Sequence, residues 1–363
     1  MHSYPNLLTE ASLGSLKLSN RAVLSPMTRT SAEPNGLAND RMVRYYQRFA
    51  KGGFGLIITE GLYPDDVQSQ SYLNQPGMAN DQQAASWKPV IEAVHREGGK
   101  MIAQLMHAGA LVQHDRFVPV APSAVKPVGA MLEDHGGSGE FATPRELTQP
   151  QIKQTIQDFA QAALRAKAVG FDGVEIHAAN GYLLDQFITD YTNRRTDEYG
   201  GSTENRIRIV VEVLEAIRTA VGPDYTVGVR ISQGKVNDFH HKWAQGVEDA
   251  KTIFEQLSGT SPSYIHTTEY KAYAPAFAEG ESTLAELAAT YGGVPVIANG
   301  KLGEPAVAEQ ILASGHAHFA AIGTSALVNP DWVNKARAGT ELRPFNHQFL
   351  QPIATIREDE VLI

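Results

Sequence analysis

The chain of 363 residues carries 31 Lys and Arg against 40 Asp and Glu, a net charge of −9, which excludes the basic footprint that non-specific nucleic-acid binding needs. It has no cysteine, which excludes disulfides, zinc–thiolate sites and iron–sulfur clusters. No apolar run approaches the roughly 18 residues of a membrane span, and Met1-His2-Ser3-Tyr4-Pro5-Asn6 has neither the basic nor the apolar region of a secretory signal, so a soluble cytoplasmic protein is expected.

Short apolar runs alternate with helix-length amphipathic segments. The first run, Ala22–Met27, leads into Ser25-Pro26-Met27-Thr28-Arg29, and a helix is expected over Asp40–Lys51. Leu56–Gly61 ends in Thr59-Glu60-Gly61 before a helix at Asp81–Gly98. Met101–Met106 carries Gln104 and ends beside His107; Ala108–Pro150 follows, rich in proline and glycine and without a clear helix. After a helix at Gln151–Val169, Gly173–Ala178 leads to His177, Asn180 and Tyr182. A helix at Thr203–Val221 precedes Thr226–Ser232, which holds Arg230 and Ser232, and another at Val247–Leu257 precedes Tyr264–Glu269, with His266, Thr268 and Glu269. Helices at Thr283–Tyr291 and Glu304–Ser314 frame Val294–Gly300, which ends in Asn299-Gly300-Lys301. The last run, Phe319–Thr324, ends in Gly323-Thr324-Ser325.

The runs are continuous rather than alternating, as for strands buried on both faces of a parallel sheet. Gly52, Gly98, Gly170, Gly222 and Gly315 fall where helix C-caps belong. Eight strand–helix units predict a (β/α)8 TIM barrel in one domain, 1–363, with an open doubly wound sheet as the alternative. The long segment 108–150 follows the third strand and would form a cap or lid over the C-terminal mouth.

Active sites of such barrels lie at the C-terminal strand ends. Gly300 and Gly323 are either turn glycines or, as a pair at consecutive strand ends, a backbone phosphate site. Arg230 on an apolar strand needs an anion, either a ligand at the mouth or Glu175 next door. Gln104 is a satisfied core amide or a partner for a planar heterocycle. His177 and Asn180 lack the third ligand of a metal site and the nucleophile of a hydrolase, so no metal is assigned. Both can donate to one oxygen and hold a developing enolate. Tyr182 is a weak acid suited to giving a proton to carbon. Together they describe addition of hydride and a proton across a C=C–C=O unit.

At this point the residues resemble the Old Yellow Enzyme family of FMN-dependent ene-reductases. The likeness runs from Asn6-Leu7-Leu8 to Asn329-Pro330-Asp331. It rests on Ser25-Pro-Met-Thr-Arg29, Gln104-Leu-Met-His107, His177-Ala-Ala-Asn-Gly-Tyr182, Gly228-Val-Arg-Ile-Ser232, Ala298-Asn-Gly300 and Ile322-Gly323 in that order. The resemblance implies FMN at the mouth, touched by Pro26, Met27, Thr28, Gly61, Gln104, Arg230, Asn299, Gly300, Lys301, Gly323 and Thr324. It implies an activated alkene (enone, nitroalkene or quinone) bound by His177 and Asn180, with Met106 and Tyr273 completing the pocket. Hydride would pass from the flavin to Cβ, Tyr182 would protonate Cα, and NADPH or NADH would reload the flavin in the same pocket.

Three positions depart from the family pattern. Thr324 stands where an arginine usually pairs with the FMN phosphate, and Lys301 is expected either to compensate or to be a surface lysine. Met106 replaces a common tryptophan, and no cysteine lies beside Pro26-Met27. The absence of cysteine, with no C-terminal extension in the sequence, argues against the larger iron–sulfur relatives as an expectation. The competing readings are a flavin-free phosphate-binding isomerase or aldolase, disfavoured because no strand interior offers a lysine, and a flavin-binding barrel without catalysis. Monomer and homodimer both remain open.

Overall fold

The structure is a computed structural model in which residues 4–278 and 280–362 are described. Eight parallel strands close into a barrel: β1 (Ala22–Leu24), β2 (Leu56–Ile58), β3 (Lys100–Leu105), β4 (Gly173–Asn180), β5 (Thr226–Lys235), β6 (Tyr264–Thr268), β7 (Val296–Asn299) and β8 (Phe319–Ile322). Closure is made by β8 pairing onto β1, with Ala320 opposite Ala22, and this removes the open-sheet alternative. Each expected run forms a strand, but their ends move. β1 stops at Leu24 because Pro26 cannot donate to a ladder. β5 runs on to Lys235, past the expected Ser232.

The pleat divides the strand side chains between two cores. Leu24, Ile57, Val174 and Val229 face outward and pack with Phe49, Phe159, Ile207 and Ile253 from the surrounding helices. Val23, Leu56, Ile58, Ile102, Ile297 and Phe319 face inward, where Leu13, Leu16 and Leu18 close the N-terminal end of the barrel. Those leucines come from an antiparallel hairpin, Ala11–Leu13 with Leu16–Leu18. The hairpin is invisible in the sequence, because its strands have three residues each and Lys17 interrupts the apolar pattern.

The helices start on side-chain caps. Asn39 accepts from Met42 N before Asp40–Lys51, Thr148 and Gln151 form a capping box before Gln149–Val169, and Ser202 accepts from Asn205 N before Thr203–Val221. The single helix expected over 81–98 is two, Asp81–Ser86 and Lys88–Arg96, because Pro89 starts a new first turn. Gly52 is not the left-handed cap expected of it. Its φ is −73°, and a Cβ there would lie 1.9 Å from the Pro330 carbonyl oxygen, so glycine is required by close approach. Among the described residues, no helix is long and apolar enough to cross a membrane.

Beyond β8 the chain returns to the mouth. Glu360 takes two hydrogen bonds from Arg29, at 2.9 and 2.7 Å, and Arg29 also donates to the Ala354 and Thr355 carbonyls. Arg29, fully buried, is thus a clamp for the C-terminal segment.

Candidate active site

A cavity of about 760 Å³ opens at the C-terminal ends of the strands. β1 and its turn supply Pro26, Met27 and Thr28; β2 leads to Gly61; β3 gives Gln104 and Met106; β4 gives His177 and Asn180, with Tyr182 two residues on; β5 gives Arg230; and Thr324 follows β8. Leu132 and His135 of the 108–150 segment and Leu350 and Ala354 of the C-terminal segment form further wall. Before the helix that starts at Gln149, the 108–150 segment has paired two-residue strands, Val120–Ala121 and Arg145–Glu146, and a 3-10 turn at Glu133–His135.

Five expected residues are not on the cavity wall. Asn299 stands behind it, where its Oδ1 accepts from Arg230 at 2.9 Å and Thr268 at 2.8 Å and its amide donates to Ser25 at 2.7 Å. Gly300 has φ 140°, and a Cβ there would meet the Glu269 carbonyl at 2.1 Å, so close packing of β7 on the β6 loop already requires it. A Cβ at Gly323 would meet only ordinary contacts, the nearest being Ser25 Cβ at 3.8 Å. Lys301 points its ammonium over Tyr270, 5.3 Å from the ring centroid. Tyr273 is 49% exposed on the outer rim.

The floor is a charge network. Glu175, fully buried, accepts from Gln104 Nε2 at 2.8 Å and Tyr264 at 3.0 Å, and pairs with His266 Nδ1 at 2.9 Å. Burial pushes its carboxyl up, but His266, Arg230 and Gln104 outweigh that and hold it below its ordinary value. Arg230 does not hydrogen-bond Glu175. It donates to Asn299 and Thr268, and its buried Nε has no partner within the protein. Burial lowers the guanidinium to about 10, against the raising pull of Glu175, so it remains a cation at neutral pH.

His177 and Tyr182 have ring centroids 5.0 Å apart. Burial, then Arg230 and His266, hold the imidazole well below its ordinary value, so it is neutral and offers one N–H. Its Nδ1 is buried without a partner. Burial and Tyr72 raise the Tyr182 phenol well above 10, so it keeps its proton. The Tyr182 hydroxyl is hydrogen-bonded to that of Tyr72, whose ring stacks on His135 at 4.8 Å.

Sequence reading missed the supports of this corner. Asn180 sits at φ 61°, a left-handed conformation that asparagine tolerates. Its N–H donates to Ser232 Oγ at 2.8 Å, and its carbonyl accepts from Val236 N at 3.1 Å. Gly181 N donates to Asp185 at 2.6 Å, and Asp185 is paired at 2.9 Å with Lys235. Lys235 was also missed, and because it is the last residue of its strand it leaves in place the expectation that no strand interior of the barrel offers a lysine. It ends β5, buried, but it is tied to Asp185 and does not line the cavity. Tyr72 gave no signal, because it lies in a polar loop without periodicity.

Glu60, buried behind the β1 turn, accepts from Arg29 N at 2.9 Å. Burial raises its carboxyl from 4.5 to about 7, against hydrogen bonds from Arg29 and Tyr46. Because the folded value lies above the unfolded one, the stabilisation is complete below pH 4.5 and is lost as pH rises through about 7. Glu60→Gln should flatten the fall in urea-measured stability across that window. An unchanged slope would assign the proton to another group.

The donor set suits a planar, anion-forming heterocycle. Arg230, with its unpaired Nε, and Gln104 line the same cavity as His177, with its unpaired Nδ1, and Asn180. Comparison with known proteins agrees. The family model for NADH:flavin oxidoreductase / NADH oxidase matches residues 7–343. The chain is 35% identical over 350 residues to an NADH oxidase from Thermoanaerobacter brockii, covering 94% of this chain and 52% of that protein, so it spans about half of that relative's length. It is 35% identical over 351 residues to 12-oxophytodienoate reductase 7 from Oryza sativa subsp. japonica, covering 91% of this chain and 87% of that protein. Its fold matches the old yellow enzyme homologue from Zymomonas mobilis with a TM-score of 0.87 at 29% identity, covering 95% and 96% of the two chains. It matches morphinone reductase in complex with tetrahydroNAD with a TM-score of 0.84 at 34% identity, covering 95% and 94%. On sequence and fold together, the chain belongs to the NADH:flavin oxidoreductase / NADH oxidase family, that of the Old Yellow Enzyme, with FMN as its cofactor.

Proposed function

We propose that the protein reduces the activated C=C bond of α,β-unsaturated carbonyl or nitro compounds. The observation that carries this reading is the convergence of His177, Asn180 and Tyr182 on one cavity above a buried cation, Arg230. Bound FMN would supply the redox chemistry, the transfer of a hydride from NADH or NADPH to the alkene. Gln104 and Arg230 would hold its polar edge, and Thr324 with the backbone near Gly323 would hold its phosphate, since Lys301 is turned away to Tyr270.

The protein's own groups do the rest. The His177 N–H and the Asn180 amide donate to the substrate oxygen, which draws electron density from the alkene and stabilises the enolate as it forms. Tyr182, protonated and dry, gives its proton to the carbon beside the carbonyl. Residues 108–150 act as a cap that brings Leu132 and His135 over the substrate and excludes water.

The test is steady-state reduction of 2-cyclohexenone with NADH or NADPH by the purified yellow protein. No alkene reduction by a protein that its nucleotide does reduce would sink the assignment. A binding measurement checks the oxygen site separately. Hydrogen bonds to a charged oxygen contribute about 1.5–3 kcal/mol. His177→Ala and Asn180→Ala should therefore each weaken binding of a para-substituted phenolate, followed by its charge-transfer band with oxidised flavin, by roughly 10- to 150-fold. Unchanged affinity in both variants would remove the two donors from the mechanism.

The flavin-free isomerase or aldolase loses its support here, because the one buried lysine near the mouth is neutralised by Asp185. A flavin-binding barrel without catalysis leaves the placement of Tyr182 unexplained.

A further inference from the structure

The exposed Phe, Tyr and Trp side chains among the described residues are Phe239, Tyr270 and Tyr273, and all three lie on the two loops that follow β5 and β6. Phe239 and Tyr270 are each 73% exposed. Large apolar rings left in water on neighbouring loops are a binding feature rather than a folding one. The two rings line one groove of about 500 Å³. Asn180 and Val236 line both this groove and the catalytic cavity, so the two adjoin. On an acidic chain this rim carries cations: Lys301 stands over the Tyr270 ring, and Lys242 binds Glu269 at 3.0 Å.

We propose that this groove binds the adenosine diphosphate half of the reducing nucleotide. The inference rests on the reading that NADH or NADPH enters the cavity. A nicotinamide that reaches a flavin bound in this cavity leaves the rest of its dinucleotide toward the open mouth. A chain leaving past Asn180 and Val236 meets Phe239 and Tyr270. Adenine stacks on such rings with little regard to its edge groups. Lys301, already held on Tyr270, supplies positive charge for the phosphates, and Glu269 offers acceptors for ribose hydroxyls. The role of Lys301 is thereby assigned to the reductant and not to the FMN phosphate.

The test is equilibrium binding of two unreactive analogues to the oxidised holoenzyme, read from the flavin absorbance. One is tetrahydro-NAD; the other is the tetrahydro form of nicotinamide mononucleotide, which lacks the adenosine half. The parent should bind the dinucleotide at least tenfold more tightly. Phe239→Ala and Tyr270→Ala should each weaken the dinucleotide about tenfold and leave the mononucleotide within twofold, while Tyr270→Phe should keep most of the advantage. Equal affinities in the parent, an advantage that survives in both alanine variants, or equal losses for the two analogues would each overturn the proposal. No alkene takes part, so a protein that binds the analogues as expected but does not reduce enones refutes the proposed function and leaves this site standing.

Discussion

Tyr182→Phe should slow reoxidation of the reduced protein by 2-cyclohexenone by about 10²-fold or more, the usual loss on removing a general acid. Reduction by NADH or NADPH should be nearly unchanged, because that half-reaction needs no proton from the phenol. The structure sharpens this expectation. Tyr182 is buried and raised well above its ordinary value, so it carries its proton across the working pH range. Its hydroxyl contact with Tyr72 predicts a milder defect in Tyr72→Phe, confined to the same half-reaction. Stopped-flow traces of both half-reactions decide the matter. Equal slowing of the two by Tyr182→Phe would mean that the residue shapes the pocket and donates no proton.

The largest stability effect is expected at a pair that touches no substrate. Asp185→Ala would leave the Lys235 ammonium buried and unpaired, which costs about 3–5 kcal/mol. It would also remove the acceptor of Gly181 N, which helps to hold Asn180 left-handed. Urea unfolding of the holoprotein should show the loss. The double variant Asp185→Leu with Lys235→Met should recover most of it, since replacing a buried pair by apolar groups of similar size is often neutral. Its phenolate affinity should stay below the parent's, because the turn has still lost its anchor. A loss below about 1 kcal/mol in Asp185→Ala would show that Lys235 reaches water or another acceptor.

Much of the architecture was legible because parallel barrel strands are buried on both faces and therefore read as continuous apolar runs, bounded by helices with their own caps. Ala22 and Phe319 could be placed as strand starts without knowing that β1 and β8 pair. The chemical residues were legible for a related reason: a guanidinium such as Arg230 or an amide such as Gln104 on an apolar strand has no solvent to satisfy it, so its presence implies a partner. What the sequence by itself determined is the order of strands and helices, and which polar groups stand at the mouth.

Which partners those groups have was decided by the tertiary structure. The sequence left Arg230 between Glu175 and a ligand; the fold gives it Asn299, 69 positions away in the chain, and leaves its Nε unpaired. It turns Lys301 out to Tyr270, joins Tyr72 to Tyr182, and puts Arg29 on Glu360, 331 positions away. These pairings join residues of different strands and loops, so no local period encodes them. Burial selects the hydrogen-bonded ones, because a polar group removed from water must find its hydrogen bond among whatever side chains the closed barrel brings within about 3 Å; the exposed contact of Lys301 with Tyr270 is set by the loops that carry them.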